Sequence, residues 1–401
     1  MAALSVEEAL AHILAGVAPH EAETVPLLEA QGRILAADIT ALLTQPPFTA
    51  SAMDGYAVRS VDIASLTASL SVVGEAAAGS GYAGTLQPGQ AVRILTGAPV
   101  PGGADAIVIQ ENADRAGPLL IVREGSPDAA HIRPKGGDFS RGQTLLRAGR
   151  TLDARALTLA AAGGHAVVPV RRRPRVAILA TGDELVPPGQ IPGPDQIVSS
   201  NPIGLAALVR AFGGEPMLLG IAPDNQAELE AAFRQSHDAD ILVTTGGASV
   251  GDHDLVRPAL EALGMKLAFW KLAMRPGKPM LFGRLGAQRV LGLPGNPVSA
   301  LITARIFLAP LIAALLGKSS RGVAPLSAVL MTDLEPNGPR QHYMRAVLHP
   351  SPGSLPSVTP LPNQDSSLLA PMAEANVLIV RPPHAAALAR GAAVQVLPID
   401  F

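Results

Sequence analysis

The sequence predicts a multidomain chain of mixed α/β and β class. It calls for an open, mostly parallel α/β domain, a β-rich domain inserted into a mixed N-terminal domain, and a small β domain at the C-terminal end. Three observations lead there. The length, 401 residues, exceeds what one typical hydrophobic core encloses. Between about residues 172 and 321, apolar β-rich runs alternate with helical stretches, the pattern of a parallel sheet with crossover helices. From 46 to 137, and again after 322, short apolar runs are separated by Gly and Pro, as in small β modules. The boundaries read as 1–45 plus 138–171, 46–137, 172–321 and 322–401.

Composition excludes several function classes. With 48% hydrophobic and 16% charged residues the chain is not largely disordered, and 40 Gly with 37 Pro imply many tight turns. A net charge of -2 gives no global positive field, so neither nucleic acid nor a membrane surface is an expected partner. An anionic ligand therefore needs a local cluster of cations. The absence of cysteine excludes disulfides, thiolate metal sites and cysteine nucleophiles, and accords with a reducing, cytoplasmic setting. The N-terminus is acidic and amphipathic, so no signal peptide is expected. The most lipid-like run, Val298 to Leu316, contains Arg305 and Pro310 and reads as a buried core helix.

Taken in order, Ser5 and Glu8 have capping-box spacing ahead of an apolar face, predicting a helix over 6–16. A second amphipathic stretch runs from about Leu27 to Ile39, and Gln45, Pro46 and Pro47 form a turn cluster that reads as a linker. Strands are expected at Leu70–Val73, Ala91–Leu95, Ala106–Gln110 and Leu119–Val122, and a helix at Ala154–Ala162. In the α/β region, strands are expected at Val176–Ala180, Leu218–Ile221, Ile241–Thr244 and Arg289–Leu293. Helices are expected from Asn201 as N-cap with Pro202 at N1, at about Gln226–Gln235 and Leu255–Leu263, and from Asn296 and Pro297. Val377–Val380 and Ala393–Leu397 belong to the last β domain.

The stretch DILVTTGGASVGDHD, Asp240 to Asp254, carries the first chemical signal. A strand breaks into the turn Gly246-Gly247, where the backbone can approach an anion closely and Ser249 can donate; a helix following from about Asp254 adds its N-terminal dipole. The same residues also suit an ordinary strand-turn-helix corner. In such a sheet ligands bind beyond the carboxyl ends of the strands. The loops Thr181-Gly182-Asp183-Glu184, the one at Asp224, the Gly-Gly turn and Pro294-Gly295-Asn296 all fall on that edge. Asp183 and Asp224 equally suit helix caps or turns. Carboxylates beside a phosphate loop call for a divalent cation, and hard oxygen ligands suit Mg²⁺.

Lys271, Arg275 and Lys278 lie in KLAMRPGKP, where Pro276 and Gly277 prevent a regular helix; the run suits a rigid loop presenting charge to an anion, and equally a solvated turn. In the inserted module Asp54 precedes Gly55 as in a turn, Thr96 ends a strand before Gly97, and Asp138 follows Gly136 and Gly137.

Together these runs resemble the molybdopterin molybdenumtransferase family, the MoeA proteins and the E domain of gephyrin and its plant relatives. The resemblance rests on SAMDGYAV (Ser51 to Val58), RILTGAPVPGGADAIV (Arg93 to Val108), RPKGGD (Arg133 to Asp138), TGDEL (Thr181 to Leu185), TTGGASVGDHD (Thr244 to Asp254), PGKP (Pro276 to Pro279) and GLPGNPVSA (Gly292 to Ala300). It implies a four-domain homodimer whose α/β domain binds molybdopterin. It further implies insertion of molybdenum from molybdate into adenylated molybdopterin with release of AMP, Mg²⁺ assisting. By the same resemblance Asp54 faces the α/β domain of the other subunit and is needed for activity, while Glu184 and Asp254 lie near the metal and substrate phosphates. Thr96, Asp138, Asp224, Lys271, Arg345 and Ser366 also fall on matching positions. The partners implied are a second copy, molybdopterin adenylyltransferase, and other biosynthetic or acceptor proteins.

Two departures stand out. Arg275 replaces a Lys found in some relatives, with a planar fork in place of a point charge. Asp365 precedes Ser366 where Gly is common, adding an acid near an anionic ligand. Two rival readings are molybdopterin adenylyltransferase, normally a single small domain, and a dimeric scaffold of the same fold.

Overall fold

A computed structural model describes residues 3–64, 68–123, 128–247, 255–318 and 325–401. The α/β domain comprises β1 (Arg175–Thr181), α1 (Asn201–Ala211), β2 (Glu215–Ala222), α2 (Gln226–Arg234), β3 (Ile241–Thr245), α3 (Val256–Ala262), β4 (Lys266–Lys271), β5 (Pro279–Leu285), β6 (Gln288–Leu293) and α4 (Pro297–Leu315). The spatial order is β2-β1-β3-β6-β5-β4; the first four strands are parallel and the last two antiparallel. All of β3 is buried, and so is β1 beyond its first residue, because helices cover both faces and leave no side of the strand for water. Val176, Ile178, Ile241 and Val243 pack into one core with α1 and α4, while Ala177, Leu179 and Leu242 pack with α2 and α3 on the other face. The carboxyl ends at Thr181, Ala222, Thr245 and Leu293 consequently share one edge.

The lipid-like run is a core helix. α4 is long and apolar enough to cross a membrane, but almost all of it is buried inside the protein. A π-turn at Ala304–Leu308 aims Arg305 out of the apolar stripe, where it pairs with Asp400 at 2.6 Å and lies 5.3 Å from the Phe212 ring centroid.

At the N-terminus the capping box forms: Ser5 Oγ accepts from Glu8 N–H at 3.1 Å and the Glu8 carboxylate accepts from Ser5 N–H at 2.8 Å. The helix is Val6–Leu14, and its Val6, Ala9 and Ile13 enter the α/β core. The stretch from Leu27 to Ile39 does not continue as a helix. It makes a 3-10 turn at Leu27–Glu29, Gly32 takes φ +72°, and Ile34 and Leu35 bridge to Thr151 and Val170. Pairing with distant strands outweighs the local amphipathic pattern there. Strand Ala22–Pro26 pairs with Val167–Arg171, and Gln45 bridges Phe139 where the chain returns from the inserted segment.

The inserted segment forms a six-stranded sheet ordered Ala106–Ile109, Gly55–Val58, Gln90–Ile94, Ser69–Ala76, Leu119–Val122, Ala113–Ala116. The C-terminal strands close on themselves: Gln341–His349 pairs with both Ser357–Pro360 and Val377–Arg381, completing a small barrel through Leu326–Leu330 and Ala393–Pro398. Met274–Arg275, from the α/β domain, joins its edge against Gln341–His342. The KLAMRPGKP segment thus crosses from one domain's sheet to the other's.

Candidate functional site

The shared strand edge opens into a cleft of about 1220 Å³ between the α/β domain and the C-terminal barrel. Its floor is backbone. Gly246 has φ +93°, and a Cβ there would stand 2.4 Å from the Thr181 carbonyl oxygen. Gly247 has φ +57°, and its Cβ would meet Val256 at 2.3 Å. Gly295 approaches the same turn, its Cβ position being 3.7 Å from Gly246 Cα. The ends of β1, β3 and β6 therefore pack closely, and at Gly246 and Gly247 only glycine permits this, whereas Gly295 makes an ordinary contact. Thr181 lines the cleft, and its Oγ1 is buried with no hydrogen-bond partner among the described residues. Ser249 and Asp254 lie outside the described residues.

Arg275 and Lys278 line the cleft as expected, joined by Arg340 from the C-terminal barrel. Among the described residues none of the three is in an ion pair. Sequence reasoning missed Arg340 because no local motif marks it; only the strand register, Met274 opposite Gln341, brings it beside Arg275. His342, next along that strand, is kept neutral: burial and the charges of Arg275, Arg340 and Arg381 push its pKa down to about 4. Lys271 stands apart from the cleft lining, with its ammonium 4.5 Å from the ring centroid of Trp270.

Of the acids, Glu184 reaches the cleft, its carboxylate folded over Gly182, where a Cβ would lie 2.2 Å from Oε2. Gly182 and Asp183 line a smaller apolar groove alongside. Asp183 Oδ1 accepts from the Asp224 N–H at 3.0 Å. Burial, then repulsion from Asp183 and Glu184, raises the Asp224 pKa. Among the described residues no three metal-ligating side chains converge. The donor set still suits Mg²⁺, which commonly uses one or two carboxylates and takes its remaining oxygens from phosphate and water.

The remaining wall comes from the loop Pro362–Ser367. Asn296 Nδ2 donates to Ser366 Oγ at 3.0 Å and Val298 N–H to the Ser366 carbonyl at 3.2 Å, which ties that loop to the start of α4. Pro294 and Gly295 line the cleft beside it. Arg345 is 1% exposed and works from behind: its guanidinium donates to the carbonyls of Leu368, Asn363 and Asp365. Its place is loop support, set by those carbonyls. The Asp365 carboxylate turns to Ser367, accepting from its N–H at 2.9 Å and its hydroxyl at 2.8 Å.

Asp54, Thr96 and Asp138 do not line the cleft of their own chain. Asp54 Oδ1 accepts from Thr96 N–H at 2.7 Å and Thr96 Oγ1 at 2.8 Å, and these bonds hold its pKa below the usual carboxylate value. Gly55 begins a strand, and its missing side chain admits the Val108 carbonyl, which a Cβ would meet at 2.1 Å. The Asp138 N–H donates to the Gln45 carbonyl at 3.1 Å.

An open α/β domain with a glycine turn at its strand ends, cations lining the same cleft and a barrel closing the wall defines a class: multidomain α/β proteins with an interdomain cleft suited to an anion. Comparison makes the assignment specific. Residues 4–164 match the MoeA N-terminal region (domain I and II), 177–314 a probable molybdopterin binding domain, and 327–399 the MoeA C-terminal region (domain IV). The chain is 39% identical over 391 residues to the molybdopterin molybdenumtransferase of Nostoc sp., covering 95% of this chain and 89% of that one. It is 36% identical over 387 residues to that of Haemophilus influenzae, covering 95% of each. The crystal structure of the molybdopterin biosynthesis MoeA protein from Pyrococcus horikoshii superposes with a TM-score of 0.86 at 29% identity over 99% of both chains. The chain belongs to the molybdopterin molybdenumtransferase family and is an enzyme of that family, a transferase.

Proposed function

We propose that the cleft binds adenylated molybdopterin and molybdate, transfers molybdenum to the dithiolene and releases AMP, yielding molybdenum cofactor. The observation that carries this reading is that Arg275, Lys278 and Arg340 line one cleft together with the Gly246-Gly247 turn. Cations and backbone N–H groups face one space large enough for a nucleotide-bearing ligand, where few carboxylates compete. The curated relatives named molybdopterin molybdenumtransferase support the substrate class.

The turn and the cations hold the phosphates in place, and the Ser366 loop closes the wall. Glu184 would hold Mg²⁺, together with Asp254 as the family resemblance implies. When bound, that ion supplies Lewis-acid polarisation of the phosphoanhydride. In this reading Asp54 and Thr96 belong to the cleft of a second copy in a homodimer. Asp54, pinned and ionised by Thr96, orients the attacking oxygen. The adenylated substrate then comes from a molybdopterin adenylyltransferase, and the product passes to acceptor enzymes in the cytoplasm, which accords with a chain free of cysteine.

Equilibrium binding of adenylated molybdopterin tests this reading. Replacing both Arg275 and Lys278 by Ala should weaken binding at least about a hundredfold and flatten its salt dependence, since two charge-assisted contacts are lost. An unchanged Kd would remove the cleft from consideration. Consumption of ATP with unmodified molybdopterin, in place of AMP release, would favour the adenylyltransferase.

A further inference from the structure

We infer that Asn201 is a positioning residue for the cleft, the first link of a hydrogen-bonded chain that carries the strand-end geometry of the α/β domain across to the loop bearing Ser366. The sequence reads Asn201 as the N-cap of α1, but the structure places Ser200 at the cap and Asn201 in the first turn. The side chain is thereby released from capping. Its Nδ2 donates to the Gly295 carbonyl at 2.7 Å while the residue lines the cleft. Because a carbonyl only accepts, the amide must turn its nitrogen to Gly295, which fixes the side chain's orientation.

Gly295 sits in a turn with little else to hold it. Pro294 has no N–H to donate, and Gly295 has no side chain to pack. The neighbouring residue, Asn296, makes the next link with its 3.0 Å bond to Ser366 Oγ, and Val298 N–H reaches the Ser366 carbonyl at 3.2 Å. From the other side Arg345 grips the same loop through three of its carbonyls. Asn201 and Arg345 thus anchor the two ends of one wall in two domains. This inference rests on the functional reading above only for what the wall is used for.

Hydrogen exchange on the full-length protein without ligand tests the linkage. In Asn201→Ala, and in the isosteric Asn201→Asp, which cannot donate to Gly295, the amides of Gly295, Asn296 and Val298 and those of residues 363–368 should exchange together about five- to tenfold faster, as expected for one lost hydrogen bond. Amides of β1 and β3 should be unchanged. Faster exchange confined to residues 200–204 and 294–296, with 363–368 at the wild-type rate in both variants, overturns the proposal. A kinetic arm asks what the wall does: KM for adenylated molybdopterin should rise about tenfold with kcat within about twofold, the signature of lost ground-state positioning. If the wild-type protein turns over no such substrate, the functional reading fails, while the exchange result still decides the role of Asn201.

Discussion

Replacing Gly246 by Ala puts a methyl group where the fold leaves no room. The Cβ would stand 2.4 Å from the Thr181 carbonyl oxygen and 3.0 Å from Thr181 Oγ1. Thr181 cannot retreat, being 2% exposed at the end of a strand paired on both sides. The φ of +93° adds backbone strain of about 1–3 kcal/mol for any residue with a side chain. The glycine turn must therefore move, by about 1 Å, and misplacement of that size at a reacting centre costs about 10²-fold in rate. Molybdenum transfer by Gly246→Ala, measured as kcat/KM, should fall by about that factor, equivalent to about 2.7 kcal/mol of transition-state stabilisation. Gly295→Ala provides the matched control in the same cleft, because its Cβ would meet nothing closer than 3.7 Å. Its loss should be at least about ten times smaller, since ordinary van der Waals contact asks for no rearrangement. A Gly246→Ala enzyme as active as wild type, or equal losses in the two variants, would refute the reasoning.

Further outcomes follow from other parts of the molecule. Asp54→Ala should fold with an unchanged melting temperature, because its carboxylate is exposed, yet fail to release AMP from adenylated molybdopterin when molybdate is present. Mixing Asp54→Ala with Glu184→Gln subunits should restore about a quarter of wild-type activity if each cleft takes Asp54 from a second copy, since half of random dimers then carry one intact site; no recovery places both residues in one chain's site. Arg345→Met strands three loop carbonyls in the interior and should lower unfolding free energy by at least about 3 kcal/mol in denaturant titration. Asp240 links the N-terminal and α/β domains: burial works against its charge, but hydrogen bonds from His20, Arg172 and the Arg175 N–H prevail and hold its pKa far below the ordinary value. A depressed folded pKa means its contribution is complete above the unfolded value near pH 4 and is lost as pH falls toward the folded value. Asp240→Asn should therefore be less stable than wild type by about 3 kcal/mol at pH 7, with the gap narrowing only below about pH 4.

The α/β domain was legible because its strands are buried on both faces and so appear as unbroken apolar runs, bounded by caps and glycines that act locally. The helices at Val6–Leu14 and Ala154–Ala162 were legible for the same reason, their caps Ser5 and Asp153 lying within four residues of what they bond. Whatever depends on contacts distant in the chain was not. Leu27 to Ile39 looks amphipathic, yet its apolar residues are used by strands more than a hundred residues away. Arg340 reaches the cleft only through the pairing of two domains' strands, and Asn201 exchanged a capping role for a bond 94 residues distant. Arg345 falls in the expected neighbourhood, but only its burial reveals that its donors face loop carbonyls. Asp365, an unfavourable acid on paper, is turned to Ser367 by two local bonds that sequence order alone does not announce.

The measurement that tests the central claim most directly is the ratio of molybdenum bound to AMP released in a single sample of purified protein supplied with adenylated molybdopterin, molybdate and Mg²⁺. The proposed reaction gives one dithiolene-bound molybdenum for each AMP, with no requirement for ATP. AMP without bound molybdenum, or no AMP at all from a folded protein that binds the substrate, would contradict it.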